Sequence, residues 1–126
     1  MKKKVYIAGP ITGDPDYKEK FKAVAEKVEA LGLDPVNPAE APEGLTYKEY
    51  MDRGLKLLME CDIICILPGT LPSRYGRHEY AGSKGAQLEL QYARTVGLRF
   101  MEAHKDHDGE WQIKIPRCWD GMFTGK

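Results

Sequence analysis

Residues 63–67 read Ile63-Ile64-Cys65-Ile66-Leu67, apolar at every position, and stop at Pro68-Gly69. An uninterrupted apolar run of strand length is buried on both faces, which implies a parallel sheet covered by helices on each side. Upstream, Thr46 and Glu49 have capping-box spacing, and Tyr47, Tyr50, Met51, Leu55 and Leu58 form the apolar face of a helix ending near Glu60. Downstream, a helix opens at Ser83 and closes at Gly97, with Gly85, Ala86, Glu89, Tyr92 and Ala93 along one stripe.

The rest of the chain extends the same alternation. Residues 4–8 form a second buried strand, closed by the turn-rich loop Gly9-Pro10-Ile11-Thr12-Gly13-Asp14-Pro15. Asp16, with Glu19 three residues on, caps a helix whose Tyr17, Phe21, Val24, Val28 and Leu31 recur at spacings of four and three until Gly32. Residues 33–36 make a short strand before Asn37-Pro38. Residues 98–101 return as a strand, and residues 111–115 alternate as a last strand or edge segment. This order predicts a single domain with a three-layer, doubly wound α/β fold: a Rossmann-like or flavodoxin-like parallel sheet with helices on both faces.

Composition narrows the partners. At 126 residues the chain can bury roughly two-thirds of its extended surface without disulfides or metals. Its 19 basic and 19 acidic residues cancel, so the field that draws a protein to polymeric nucleic acid or an anionic membrane is missing. The apolar run after Met1-Lys2-Lys3-Lys4 is too short for a signal h-region or a membrane span, so the expected location is cytoplasmic. The three cysteines show no C-x-x-C pair, and Cys61 and Cys65 read as small core residues. His104, Asp106, His107 and Asp108 precede Gly109 as a solvated loop, without the second ligand pair of a closed metal site. No metal and no cofactor are expected.

In an open α/β sheet ligands bind beyond the carboxyl ends of the strands. The loops at 9–15, 37–45 and 68–82 and the start of the Ser83 helix converge on that rim. The first loop lacks both G-x-G-x-x-G and the Gly-Lys-Ser/Thr of a P-loop, which removes dinucleotide redox chemistry and ATP hydrolysis. What remains suits a small anion at a helix N-terminus. Glu89 is the unusual member of its stripe, because burying an unpaired carboxylate costs several kcal/mol. On that small-residue face it is either paired or aimed into a cleft.

The segments Val5-Tyr6-Ile7-Ala8-Gly9-Pro10-Ile11-Thr12-Gly13, Asn37-Pro38, Tyr50-Met51, Cys61-Asp62-Ile63-Ile64, Leu67-Pro68-Gly69 and Ser83-x-Gly85-Ala86-x-x-Glu89 resemble the nucleoside 2-deoxyribosyltransferase-like superfamily, and within it a small branch from bacteria and phages. The resemblance spans about residues 4–102. It implies that Glu89 attacks the anomeric carbon of a deoxyribosyl group and that Tyr6 contacts its carboxylate, with the helix N-terminus keeping Glu89 ionised. It also implies substrate contacts from Gly9, Pro10, Ile11, Thr12, Gly13, Asp14, Asn37, Pro38, Pro68, Gly69, Ser83, Gly85 and Ala86. The motif residue Ser83 matches the related deoxynucleoside 5′-monophosphate N-hydrolases, in which a serine helps hold the phosphate.

Two departures stand out. Transferases carry an acid that handles the leaving base about eight residues before the strand-leading aspartate, and that position here is Gly54. Asp62 begins its strand at the end away from the rim, as a structural cap, and Asp14 and Glu79 are rim carboxylates of low specificity. The 68–82 loop is longer than usual and carries Arg74 and Arg77, which either close over a phosphate or are solvated. The resulting expectation is cleavage or transfer at the N-glycosidic bond of a nucleoside or nucleoside 5′-monophosphate. The alternative is a nucleotide- or nucleotide-sugar-binding protein without catalysis. A homo-oligomer, most simply a two-fold dimer, is expected because the 111–123 segment has no obvious place in a monomer core.

Overall fold

The structure is a computed structural model that describes residues 2–11, 14–68 and 84–115. Its elements are β1 (Lys4–Ala8), α1 (Tyr17–Ala30), β2 (Asp34–Val36), a 3-10 turn (Pro38–Glu40), α2 (Tyr47–Met59), β3 (Ile63–Ile66), α3 (Lys84–Val96), β4 (Arg99–Lys105) and β5 (Trp111–Lys114). They form one five-stranded sheet in the order β2-β1-β3-β4-β5. Every neighbouring pair is parallel except β4 and β5. The sheet is thus flavodoxin-like and mostly parallel, as expected, with an antiparallel edge at β5, the segment the sequence left as a last strand or edge.

All four residues of β3 are buried, because side chains of alternate parity enter two different cores. Ile63 and Cys65 join Val5 and Ile7 of β1 against Phe21, Val24 and Val28 of α1. Ile64 joins Tyr6 and Ala8 on the other face, against Leu58 of α2 and Ala93 of α3. Fully burying each of the larger side chains contributes roughly 1.5–3 kcal/mol. The register sets Tyr6 opposite Ile64, and Ile64 opposite Phe100. α1 therefore covers one face, and α2 and α3 the other.

The local signals hold in part. Thr46 Oγ1 accepts from the Glu49 N–H at 3.1 Å, and Glu49 Oε1 accepts from the Thr46 N–H at 2.9 Å, completing the capping box of α2. Gly32 and Gly97 end α1 and α3 with φ of +83° and +81°, a backbone that favours glycine. Asp16 does occupy the N-cap position of α1, yet its side chain accepts no capping hydrogen bond. Asp14 takes over, accepting from the Asp16 N–H at 2.9 Å and from Lys20 Nζ at 2.8 Å. Leu31, the last residue of the predicted stripe, lies beyond the helix and is 51% exposed.

β4 runs four residues past the predicted 98–101 strand. The apolar run stops at Met101, but inward alternation continues through Ala103 while Glu102 and His104 face solvent, the pattern of a strand with one wet face. His104 is thus a strand residue, whereas Asp106 sits in the β4–β5 hairpin and accepts from the N–H groups of Asp108 and Glu110 and from Gln112 Nε2. The expectation that residues 111–123 lack a place in the core is corrected for β5. Trp111 is 9% exposed and packs in the α1-side core, under Lys105, whose Nζ lies 5.4 Å from its ring centre. Among the described residues, no helix is long and apolar enough to cross a membrane.

Candidate active site

Tyr6 sits mid-strand in β1 on the α2/α3 side, with a side chain wholly withdrawn from solvent. Glu89 projects from the second turn of α3 and, at 6% exposure, is the one buried charged residue among those described. The two meet: Tyr6 Oη donates a hydrogen bond to Glu89 Oε2. Burial pushes the Glu89 carboxyl up to about 7, against the opposing pull of the Tyr6 hydroxyl. The expected pull of the helix N-terminus toward an ionised Glu89 is outweighed here. The helix field fades within its first turn, and desolvation dominates in the second. Burial first, and the Glu89 charge second, raise the Tyr6 pKa far above the phenol range, so Tyr6 acts only as a donor.

Two glycines bring α2 close to this pair. A Cβ at Gly54 would lie 2.8 Å from Tyr6 Oη, closer than real Cβ atoms approach, and 3.0 Å from Glu89 Oε2, tighter than nearly all real Cβ contacts. A Cβ at Gly85 would lie 2.9 Å from Met51 Sδ and 3.1 Å from Tyr47 Oη. Gly54 is therefore more than a missing acid: the carboxylate and phenol fill the space a side chain would need.

The other sequence-derived candidates divide. Gly9 packs at the end of β1, where a Cβ would be 2.9 Å from the Leu67 Cβ. Pro10, Asp14, Leu67 and Pro68 line a cavity together with Lys20, Lys105 and Trp111, on the α1 side of the rim rather than against Glu89. The Lys20 and Asp16 hydrogen bonds hold the Asp14 carboxyl below its ordinary range, so Asp14 is ionised and unsuited to donating a proton. Asn37 caps the 3-10 turn, its Oδ1 accepting from the Ala39 N–H at 2.9 Å, and Pro38 is buried behind it. Asp62 accepts from the Lys4 N–H at 3.2 Å at the amino end of the strands, the capping role the sequence suggested. Gly85 sits in the α2–α3 contact, and Ala86 beside it is buried, at 2% exposure. Ile11 packs against the α1-side core. Thr12, Gly13, Gly69, Arg74, Arg77, Glu79 and Ser83 lie outside the described residues. The Cys65 thiol, pushed up to about 12 by burial, is an inert core residue.

Sequence reasoning passed over Tyr50 and Arg53 as site residues. The available signal was their i−4 and i−1 placement relative to Gly54 on α2. Burial, with the Glu89 charge second, raises the Tyr50 pKa beyond the phenol range, while Arg53 opposes that shift.

The fold has counterparts among solved structures. A 2-desoxiribosyltransferase from Leishmania mexicana superposes with a TM-score of 0.61 at 22% identity, covering 82% of this chain and 65% of the other. A conserved protein from Enterococcus faecalis V583 gives 0.59 at 18% identity, covering 85% and 66%. A 2-deoxyribosyltransferase from Bacillus psychrosaccharolyticus gives 0.52 at 17% identity, covering 79% and 70%. The chain thus spans slightly under two-thirds of the first two. No curated protein sequence matches it. These likenesses define a deoxyribosyltransferase-like α/β fold. Residues 3–102 match the family model described as a domain of unknown function, DUF4406, and the chain belongs to that family.

Glu89 also sets a pH dependence of stability. Its folded pKa lies above the ordinary 4.5, so its contribution is complete below about pH 4.5 and is lost as the pH rises through about 7. Between pH 5 and 8 the wild type should lose about 2–3 kcal/mol that Glu89→Gln does not. Denaturant midpoints of both proteins across this window check the difference, and parallel curves would refute it.

Proposed function

We propose that this protein cleaves or transfers at the N-glycosidic bond of a nucleoside or nucleoside 5′-monophosphate, with Glu89 as the nucleophile. The observation that carries the reading is the buried pair formed by Tyr6 on β1 and Glu89 on α3. Tyr6 holds Oε2, which orients Oε1 toward the anomeric carbon. As the C–N bond breaks, its electron pair leaves with the base, and Oε1 forms a glycosyl ester. Water then releases the sugar, or a second base takes it. The resemblance of Ser83 to the motif serine of the monophosphate hydrolases supports a 5′-phosphate on the substrate. A cytoplasmic homo-oligomer acting on this small molecule, without polymeric nucleic acid or membrane, completes the proposal.

The absence of a side chain at Gly54 favours a second reading, a nucleotide-binding protein without turnover. Chromatography of nucleosides and their monophosphates after incubation separates the two. Free base should appear from at least one substrate, at a rate that rises with pH through about 7 as Glu89 ionises. Ligand-induced thermal stabilisation with no base release from any substrate would favour the binder instead.

A further inference from the structure

Two buried side-chain polar atoms among the described residues have no hydrogen-bond partner, Tyr50 Oη and Arg53 Nη1. They stand three residues apart on α2, four residues and one residue before Gly54, whose Cα faces the Tyr6–Glu89 pair. Buried donors are almost always satisfied, and an orphan carries its full desolvation penalty. The two orphans lie at i and i+3 on one helix, one of them on a permanent cation, and both are donors that an acceptor would satisfy. The acceptor's charge follows from the donors: a guanidinium N–H and a phenol O–H both favour an anionic oxygen.

The charges of Glu89 and Arg53 both reach the Tyr50 hydroxyl, with opposite effects, so the phenol lies within electrostatic range of both.

We propose that Tyr50 and Arg53 form an oxyanion subsite that takes a negatively charged oxygen of the substrate. This rests on the glycosidic reading above. The oxygen comes from a 5′-phosphate or from an oxo group of the departing base, which gains charge as the C–N bond breaks. In the second case the subsite replaces proton donation with charge stabilisation.

The test separates the subsite from the reaction. Without ligand, Tyr50→Phe and Arg53→Met should melt at or above the wild-type temperature, because each removes an orphan. Inorganic phosphate should raise the melting temperature of the wild type and fail to raise that of Arg53→Met. Calorimetry in a Glu89→Gln background, which blocks turnover, then compares deoxyuridine with its 5′-monophosphate. Arg53→Met should weaken the monophosphate by about 10- to 100-fold, the range of a charge-assisted hydrogen bond, and Tyr50→Phe by less. A loss confined to the monophosphate identifies the phosphate as the source. A loss shared equally with deoxyuridine identifies the base. Variants that melt lower without ligand yet respond to phosphate as the wild type does would overturn the subsite, whether or not base is released. A phosphate response that depends on Arg53, in a protein that releases no base from any substrate, would uphold the subsite and sink the glycosidic reading.

Discussion

Glu89→Gln is expected to lower base release by about a thousandfold or more while leaving the protein folded. The change keeps the shape of the side chain and the acceptor for the Tyr6 hydroxyl, and it removes only the charge that attacks the sugar. Above pH 7 it also relieves the cost of holding a carboxylate in a site 6% exposed, so lost activity cannot be attributed to unfolding. Ligand affinity should change far less than rate, because the deleted interaction is made chiefly in the transition state. A 2-fluorinated deoxyribosyl substrate should leave a covalent adduct on the wild-type peptide that contains Glu89, readable by mass spectrometry. Release at the wild-type rate by Glu89→Gln would falsify the nucleophile assignment.

Gly54→Asp is expected to cost about 3–5 kcal/mol of stability, even though it supplies the acid that the resembling transferases carry. The Cβ alone intrudes to 2.8 Å from Tyr6 Oη, and the Tyr6 ring, locked in the sheet core, has nowhere to retreat. A second carboxyl group then shares the space with Glu89, where two negative charges cannot both be held. Gly54→Ala separates the contributions. It gains up to about 1 kcal/mol of helix propensity against roughly 1–3 kcal/mol of overpacking, so its net loss should be small and that of Asp much larger. Chemical denaturation of the three proteins at one pH decides it. An Asp variant within 0.5 kcal/mol of the wild type would mean that α2 stands further from Glu89 than its glycines imply.

Much of the scaffold was legible because its signals are local or periodic. The unbroken apolar run at Ile63–Ile66 implied helices on both faces, Thr46 and Glu49 marked the start of α2, and Gly32 and Gly97 marked helix ends. The meeting of Tyr6 with Glu89 came only through family resemblance, since 83 residues separate them and no spacing rule links a strand to a distant helix. Features set by three-dimensional packing stayed hidden. The Asp16 side chain gave way to Asp14, the reach of β4 depended on pairing with β5, and the Glu89 pKa followed burial rather than helix position. Tyr50 and Arg53 were invisible as a pair because an orphaned donor is defined by what surrounds it.

The short strand β2 has a consequence for growth of the sheet. It forms one border of the sheet, and its three residues have Pro35 at the centre, opposite Val5. A border strand this short, interrupted by a residue with no N–H, is a poor template for another chain. Extension by an added peptide, by a second copy or by amyloid-like stacking is therefore disfavoured on that side, and among the described strands β5 forms the other border.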